Sequence, residues 1–241
     1  MRRRDFFQSG AALGLLAAAG AVGASGSLRG AANGGKGTAS GGGKLAPPDK
    51  GPIRVAVAIS EGVTVIDFAG PWEVFQDTSG PGDDAAFALC TVSESTAPVT
   101  GSAGLKLVPD YTFATVPAPR VIVVPAQRGS DALHAWLRKA SVTADLTMSV
   151  CTGAFQLAKA GLLSGKTATT HHDSIDVLAS RFPDIRVERG KRFVENGNLA
   201  TAGGLTSGID LALRVVERYF GRATAERTAA YMEYQGKGWV V

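Results

Sequence analysis

Met148-Ser149-Val150-Cys151-Thr152-Gly153-Ala154-Phe155 decides the reading of this chain. A short apolar run ends and a cysteine follows at once. A glycine two residues later lets a helix begin close against the preceding strand. Strand, sharp turn and helix together have the logic of a nucleophile elbow, without the Gly-x-Ser-x-Gly form. Such a turn lifts its side chain at the carboxyl edge of a sheet and sets it over a helix N-terminus, whose partial positive charge favours thiolate. Cys151 is therefore expected to ionise below the ~8.5 of a free cysteine and to react before Cys90. The alternative is a small apolar cysteine at a strand end. That reading suits Cys90, which lies inside Phe87-Ala88-Leu89-Cys90.

Outward from the elbow, short β-branched runs read as strands at residues 53–59, 86–92, 120–124, 147–150 and 167–170. Arg120-Val121-Ile122-Val123-Val124 is nearly all apolar, as in a parallel strand covered on both faces. Residues 192–195 and 199–202 form a pair turned by Asn196-Gly197, and residues 99–112 suggest a hairpin. Helical patterns fall at 71–77 with Pro71 in the first turn, and at 131–140, 152–163, 174–181 and 206–220. Strands alternating with helices predict an α/β fold, a three-layer sandwich around a mostly parallel, flavodoxin-like sheet.

The first 50 residues stand apart. They hold 12 of the 31 glycines and seven Lys/Arg against two Asp, a net of +5, whereas the whole chain is +4. The 191 residues from Gly51 onward therefore carry −1 and have no electrostatic footprint for nucleic acid, despite the pI of 9.2. Residues 1–24 join a basic start to a short apolar run and small residues, the pattern of a secretory signal. Arg3-Arg4 with Phe6-Phe7 resembles the twin-arginine form, which exports folded proteins to the periplasm or beyond. Cleavage is expected near Ala24, leaving no stable membrane anchor; an uncleaved N-terminal anchor is the alternative. Residues 25–50 read as a flexible Gly/Ser-rich linker, and residues 51–241 as the single domain. Two cysteines exclude a disulfide scaffold and a four-thiolate zinc site.

A thiolate needs an acid or base beside it. Asp67, between Ile66 and Phe68 in the stretch after the first strand, is poorly placed for solvation unless it has a partner; alone it could be a helix N-cap. Loops after parallel strands gather on one edge, so Asp67 and Cys151 can meet there. His171 and His172 follow the strand at 167–170 on the same edge. With Asp173 they are a weak metal signal, because sequence neighbours in extended chain point apart; no metal and no cofactor is assigned. His134 is expected at the surface. Trp72 and Phe155 are candidates for apolar pocket walls, or plain core.

Asp67-Phe68-Ala69-Gly70-Pro71, Ser149-Val150-Cys151-Thr152-Gly153-Ala154, the run from Ala160 to His171 and the run from Thr201 to Leu213 resemble the PfpI and parkinsonism-associated deglycase superfamily, which has a class I glutamine amidotransferase-like fold. The resemblance spans about Ile53 to Tyr234 and leans toward the isonitrile hydratase branch and the amidase-like domains of AraC-type regulators. It implies Cys151 as nucleophile and Asp67 as its acid/base partner. Thr152 directly after the nucleophile matches the hydratase pattern, where the peptidase-like branch has histidine. Gly70, Ala126, Gln127 and His171 are the implied binding residues. The family's usual Pro-Gly-Gly is here Pro125-Ala126-Gln127; a positive φ at either replaced glycine would cost ~1 kcal/mol. The resemblance further implies a small-molecule substrate, a homodimer and hydration of an isonitrile to an N-substituted formamide. The alternatives are a small-molecule sensing domain related to AraC-type regulators, or a glyoxalase-like or redox stress-response thiol protein.

Overall fold

In the first strand, β1 (Ile53–Ala58), the side chains sort by parity. Ile53, Val55 and Val57 enter one apolar cluster, and Ala56 and Ala58 enter another on the opposite face. The computed structural model describes residues 42–241. After β1 come α1 (Val65–Gln76), β2 (Phe87–Ser93), the hairpin β3 (Val99–Thr100) and β4 (Lys106–Leu107), β5 (Tyr111–Thr112), β6 (Val121–Val124) and α2 (Asp131–Ala140). Next are β7 (Leu146–Val150), α3 (Ala154–Lys159), β8 (Thr167–Ala168), α4 (Ile175–Arg181) and β9 (Arg186–Val187). The chain closes with β10 (Phe193–Asn196), β11 (Leu199–Ala202), α5 (Ser207–Phe220) and α6 (Arg222–Tyr231).

Seven strands form one sheet in the order β10-β11-β7-β6-β1-β2-β5. All pairs are parallel except β10 with β11, which turn through Gly197 at φ 66° as the Asn-Gly pair predicts. β6 repeats the parity of β1: Val121 and Val123 join the first cluster, Ile122 and Val124 the second. The first cluster lies under α1, α5 and α6 through Phe75, Leu211, Val215 and Ala225. The second lies under α2, α3 and α4 through Leu133, Leu157 and Leu178. This is the expected three-layer, flavodoxin-like sandwich. Its strand order reverses at β1, and the crevice outside the carboxyl ends there is where such sheets bind ligands.

Several expectations change. The first helix begins at Val65, six residues ahead of Pro71, so Asp67 sits in its first turn rather than in a loop. Pro71 lies inside α1 and has no N–H to offer the Asp67 carbonyl four residues back. Helix α6 was not foreseen. It buries only Thr224, Ala225, Thr228 and Ala229, small residues that pack close to α5 without making an apolar stripe.

The leader and most of the linker fall outside the described residues. Within the described part the linker boundary at residue 50 is corrected. Arg214 and Arg218 donate to the carbonyls of Gly42 and Gly43, Leu45 N–H donates to Arg218, and Arg120 donates to the Ala46 carbonyl. The Gly/Ser composition predicts flexibility, but three buried or half-buried arginines supply donors that hold this backbone. Among the described residues no helix is long and apolar enough to cross a membrane.

Candidate functional site

β7 runs straight into a 3-10 turn, Cys151–Gly153, before α3. Cys151 occupies the left-handed region at φ 57°, which a side chain other than glycine's enters at a cost of order 1–3 kcal/mol. Its surroundings hold it there. Its N–H donates to the Gly203 carbonyl at 2.8 Å, and its carbonyl accepts Thr170 Oγ1 at 2.8 Å. A Cβ at residue 153 would collide with the Val124 carbonyl oxygen, so Gly153 lets the turn press against β6. The elbow read from the sequence is thus present, with a strained cysteine at its apex.

Asp67 is fully buried and lies beside that cysteine. Thr64, not Asp67, occupies the N-cap position of α1, which excludes the capping role. Asp67 Oδ2 accepts the Ala126 N–H at 3.1 Å. Oδ1 has no hydrogen-bond partner. The titrating neighbour of the carboxyl group is the Cys151 thiol. Three strands' ends therefore converge: Asp67 after β1, Ala126 after β6 and Cys151 after β7.

Burial pushes Asp67 up to about 6, against the pull of Ala126 and of the thiol. Cys151 is also pushed up, to about 11, first by burial and then by the charge of Asp67. The backbone N–H groups of Thr152 and Leu205 pull the other way without prevailing. The expectation of a thiol ionised below ~8.5 is corrected. Only six residues of α-helix stand behind the elbow, and Cys151 is 7% exposed beside a carboxylate. The two groups form a like-charge pair that shares one proton between the two pKa values, and that proton sits on sulfur.

The other candidates separate into two kinds. Thr152 contributes its N–H to the sulfur, and Ala126 contributes its N–H to Asp67. Neither Ala126 nor Gln127 has a positive φ, so replacing the two glycines imposes no backbone strain. Gln127 turns from the site: its Nε2 donates to the carbonyls of Ala58 and Pro125, tying the ends of β1 and β6. Gly70 follows Asp67 by three residues on α1. It lies where α1 meets α5, and a Cβ there would be 2.9 Å from Ile209 Cγ1. Trp72 packs on the first cluster and Phe155 on the second, on opposite faces of the sheet, so they are not walls of one pocket. His134 is buried, with Nε2 2.9 Å from Gln156 Oε1, rather than at the surface.

His171 packs on Gly204, whose Cβ would lie 2.5 Å from the ring's Cδ2. Residues 172–174 form a 3-10 turn, not extended chain, so His171, His172 and Asp173 do come together, one ligand atom each within 4.8 Å. Two of these three are exposed, His171 Nδ1 already accepts the Asp173 N–H, and Arg189, Lys191 and Arg192 line the same cavity and oppose a cation. Sequence reasoning missed Leu205 and Thr170, because their contributions to the elbow are a main-chain N–H and one hydroxyl. The only signal was Gly203-Gly204 just ahead of a helix.

A parallel sheet with helices on both faces, a strained cysteine after a central strand and a buried acid beside it define a class of α/β thiol proteins. The chain belongs to the DJ-1/PfpI family, whose pattern it matches over residues 53–218. It is 35% identical over 191 residues to isonitrile hydratase from Pseudomonas putida, an alignment covering 76% of this chain and 78% of that protein. Among solved structures it resembles a THiJ/PfpI family protein from Pseudomonas syringae, with a TM-score of 0.67, 31% identity and coverage of 78% and 77%. An AraC family transcriptional regulator from Pseudomonas putida shares the fold, with a TM-score of 0.67 at 21% identity, over 75% of this chain and 100% of that one.

Proposed function

We propose that this protein is a cysteine-dependent hydro-lyase of the isonitrile hydratase kind, converting an isonitrile to an N-substituted formamide. The observation that carries the reading is the Asp67–Cys151 pair: a buried carboxyl group with its pKa raised to about 6, next to a thiol at a strained elbow. A nucleophile with an acid–base partner beside it is the arrangement that covalent catalysis requires. Similarity to the Pseudomonas putida isonitrile hydratase supplies the substrate class.

At neutral pH Asp67 is ionised and Cys151 is a thiol. As sulfur attacks the terminal carbon of the isonitrile, Asp67 takes the thiol proton and passes it to that carbon. The C–S bond forms and the product is a thioimidate, S–CH=N–R. The N–H groups of Thr152 and Leu205 stabilise the charge that develops on sulfur. Water then adds across the C=N bond. Collapse of that adduct breaks the C–S bond, returns a proton to sulfur and releases the formamide. No cofactor enters these steps.

The test is turnover of cyclohexyl isocyanide by the purified domain, with methylglyoxal as the competing substrate and Cys151→Ala as the control. Hydration that depends on Cys151 supports the reading; turnover of methylglyoxal alone replaces it with the glyoxalase-like one. The reading extends to a homodimer, checked by sedimentation, and to export of the folded protein through a twin-arginine leader. Changing Arg3 and Arg4 to lysine should hold the precursor in the cytoplasm, and unchanged export would end that part.

A further inference from the structure

We propose that the substrate carries a carboxylate, held in the cavity bounded by His171, Lys191, Arg192 and the start of α5. This inference rests on the hydratase reading and names the substrate class more closely. The cavity measures about 460 Å³ and opens at the carboxyl edge of the sheet. It is wired to the elbow from three sides. Gly203 accepts the Cys151 N–H, Thr170 donates to the Cys151 carbonyl, and Leu205 directs its N–H at the Cys151 sulfur. All three residues line the cavity.

Every side chain of that lining able to carry a full charge is basic: Arg189, Lys191, Arg192 and the two histidines. Arg189 is paired with Asp176 and Arg192 with the buried Asp210, while Asp173 Oδ1 lies 3.0 Å from His172 Nε2. Lys191 is exposed and has no ion-pair partner among the described residues, so it is the cation left over. The Ser207 hydroxyl and the basic rim offer donors, beside the apolar side chains of Ile175 and Leu205. Behind them, at the start of α5, Leu205 N–H is taken by the Cys151 sulfur and Ser207 N–H by the Gly204 carbonyl. The Thr206 N–H has no acceptor among the described residues. Neither apolar candidate wall lines this cavity, since Trp72 and Phe155 are packed elsewhere. An isonitrile bearing a carboxylate therefore finds a counter-charge in a cavity three of whose lining residues, Thr170, Gly203 and Leu205, contact Cys151.

The experiment compares isocyanoacetate with its methyl ester, which differ in charge at one end only. The wild type is expected to prefer the carboxylate in kcat/KM, and Lys191→Glu to cut the carboxylate-to-ester ratio about tenfold, the scale of reversing one exposed charge. Calorimetric binding of N-formylglycine, the product of that substrate, needs no turnover and should weaken about tenfold in the same variant. Hydration of both isonitriles with the ratio and the N-formylglycine affinity unchanged in Lys191→Glu overturns the anion site and leaves the hydratase reading standing. No hydration of either, with N-formylglycine binding that depends on Lys191, removes the hydratase reading and keeps the anion site.

Discussion

Cys151 and Cys90 have been pushed the same way by the same force. Burial raises both thiols to about 11, and in both a carboxylate adds to the rise, Asp67 for Cys151 and Asp110 for Cys90. A resting pKa therefore does not tell a reactive cysteine from an inert one here. The surroundings do. Cys90 lies within β2 in ordinary strand conformation, its Sγ 3.6 Å from the Val55 carbonyl oxygen, an acceptor that can do nothing for a thiolate. Cys151 sits on a strained turn, with two N–H groups directed at its sulfur and a buried carboxyl group able to take its proton. The protein has invested in the charged form of one sulfur, not by lowering its pKa at rest but by preparing a place for the proton and donors for the charge.

The largest expected effect breaks the comparison outright. Cys151→Ala should lower isonitrile turnover by ~10³-fold or more, the scale for losing a nucleophile. Cys90→Ala should leave it within about twofold, because no reacting group touches that side chain. Equal losses in steady-state assays would mean that Cys151 acts through structure alone.

Next in size is Asp67→Asn, which keeps the Ala126 hydrogen bond and removes the base. Turnover should fall by ~10²-fold, the usual share of a positioned acid–base group. The pH profile carries the sharper test. With Asp67 near 6, kcat/KM of the wild type should drop as pH falls below about 6, because the protonated carboxyl group can no longer accept the thiol proton. In Asp67→Asn that limb should vanish. A limb that persists near 6 belongs to another group and takes Asp67 out of the mechanism.

The same substitution should strengthen the fold. Asp67 has its native pKa above the ordinary 3.8, so the folded protein holds a proton that the unfolded chain has released between about 4 and 6. Unfolding then releases protons, and stability falls as pH rises through that window. Above it the buried charge remains a cost, of about 2–3 kcal/mol by the size of the shift. An uncharged amide at this position carries no such cost. Urea unfolding should find Asp67→Asn about 2 kcal/mol more stable than wild type at pH 8, with the gap closing toward pH 4. A variant less stable at pH 8 would show that the carboxylate is held by contacts that outweigh its burial.

How much of this was legible beforehand follows from what each feature is made of. β1 and β6 announced themselves as apolar runs because both faces are buried, and the Asn196-Gly197 turn because few dipeptides suit positive φ. The elbow was legible because only glycine fits where Gly153 meets Val124. The start of α1 was misplaced because Pro71 was read by its commonest position, and α6 was missed because its buried face is alanine and threonine. The close approach of Gly70 to Ile209 is a contact between distant segments that no local pattern encodes. The reactivity of Cys151 was misjudged for a similar reason. The helix start behind it is local and visible, whereas its burial and the charge of Asp67, 84 residues away in sequence, exist only after folding.

The smallest expected effect isolates that last point. Removing the Asp67 carboxylate removes what raises Cys151 besides burial and leaves the forces on Cys90 untouched. In Asp67→Asn the Cys151 thiol should therefore ionise at lower pH than in wild type, with Thr152 and Leu205 still donating to it. At pH 8 the rate of iodoacetamide alkylation at Cys151, followed by peptide mass spectrometry, should rise several-fold, roughly up to tenfold for each unit by which the pKa drops. Alkylation at Cys90 in the same sample should not change, which makes it the internal standard. Turnover and alkylation would then move in opposite directions in one variant: the sulfur becomes easier to ionise and the enzyme becomes slower. That opposition separates a base that takes part in the reaction from a residue that merely sets the resting state of the thiol. Alkylation that slows at Cys151 in Asp67→Asn would mean that the carboxylate assists ionisation at rest, and the like-charge account of the pair would have to be given up.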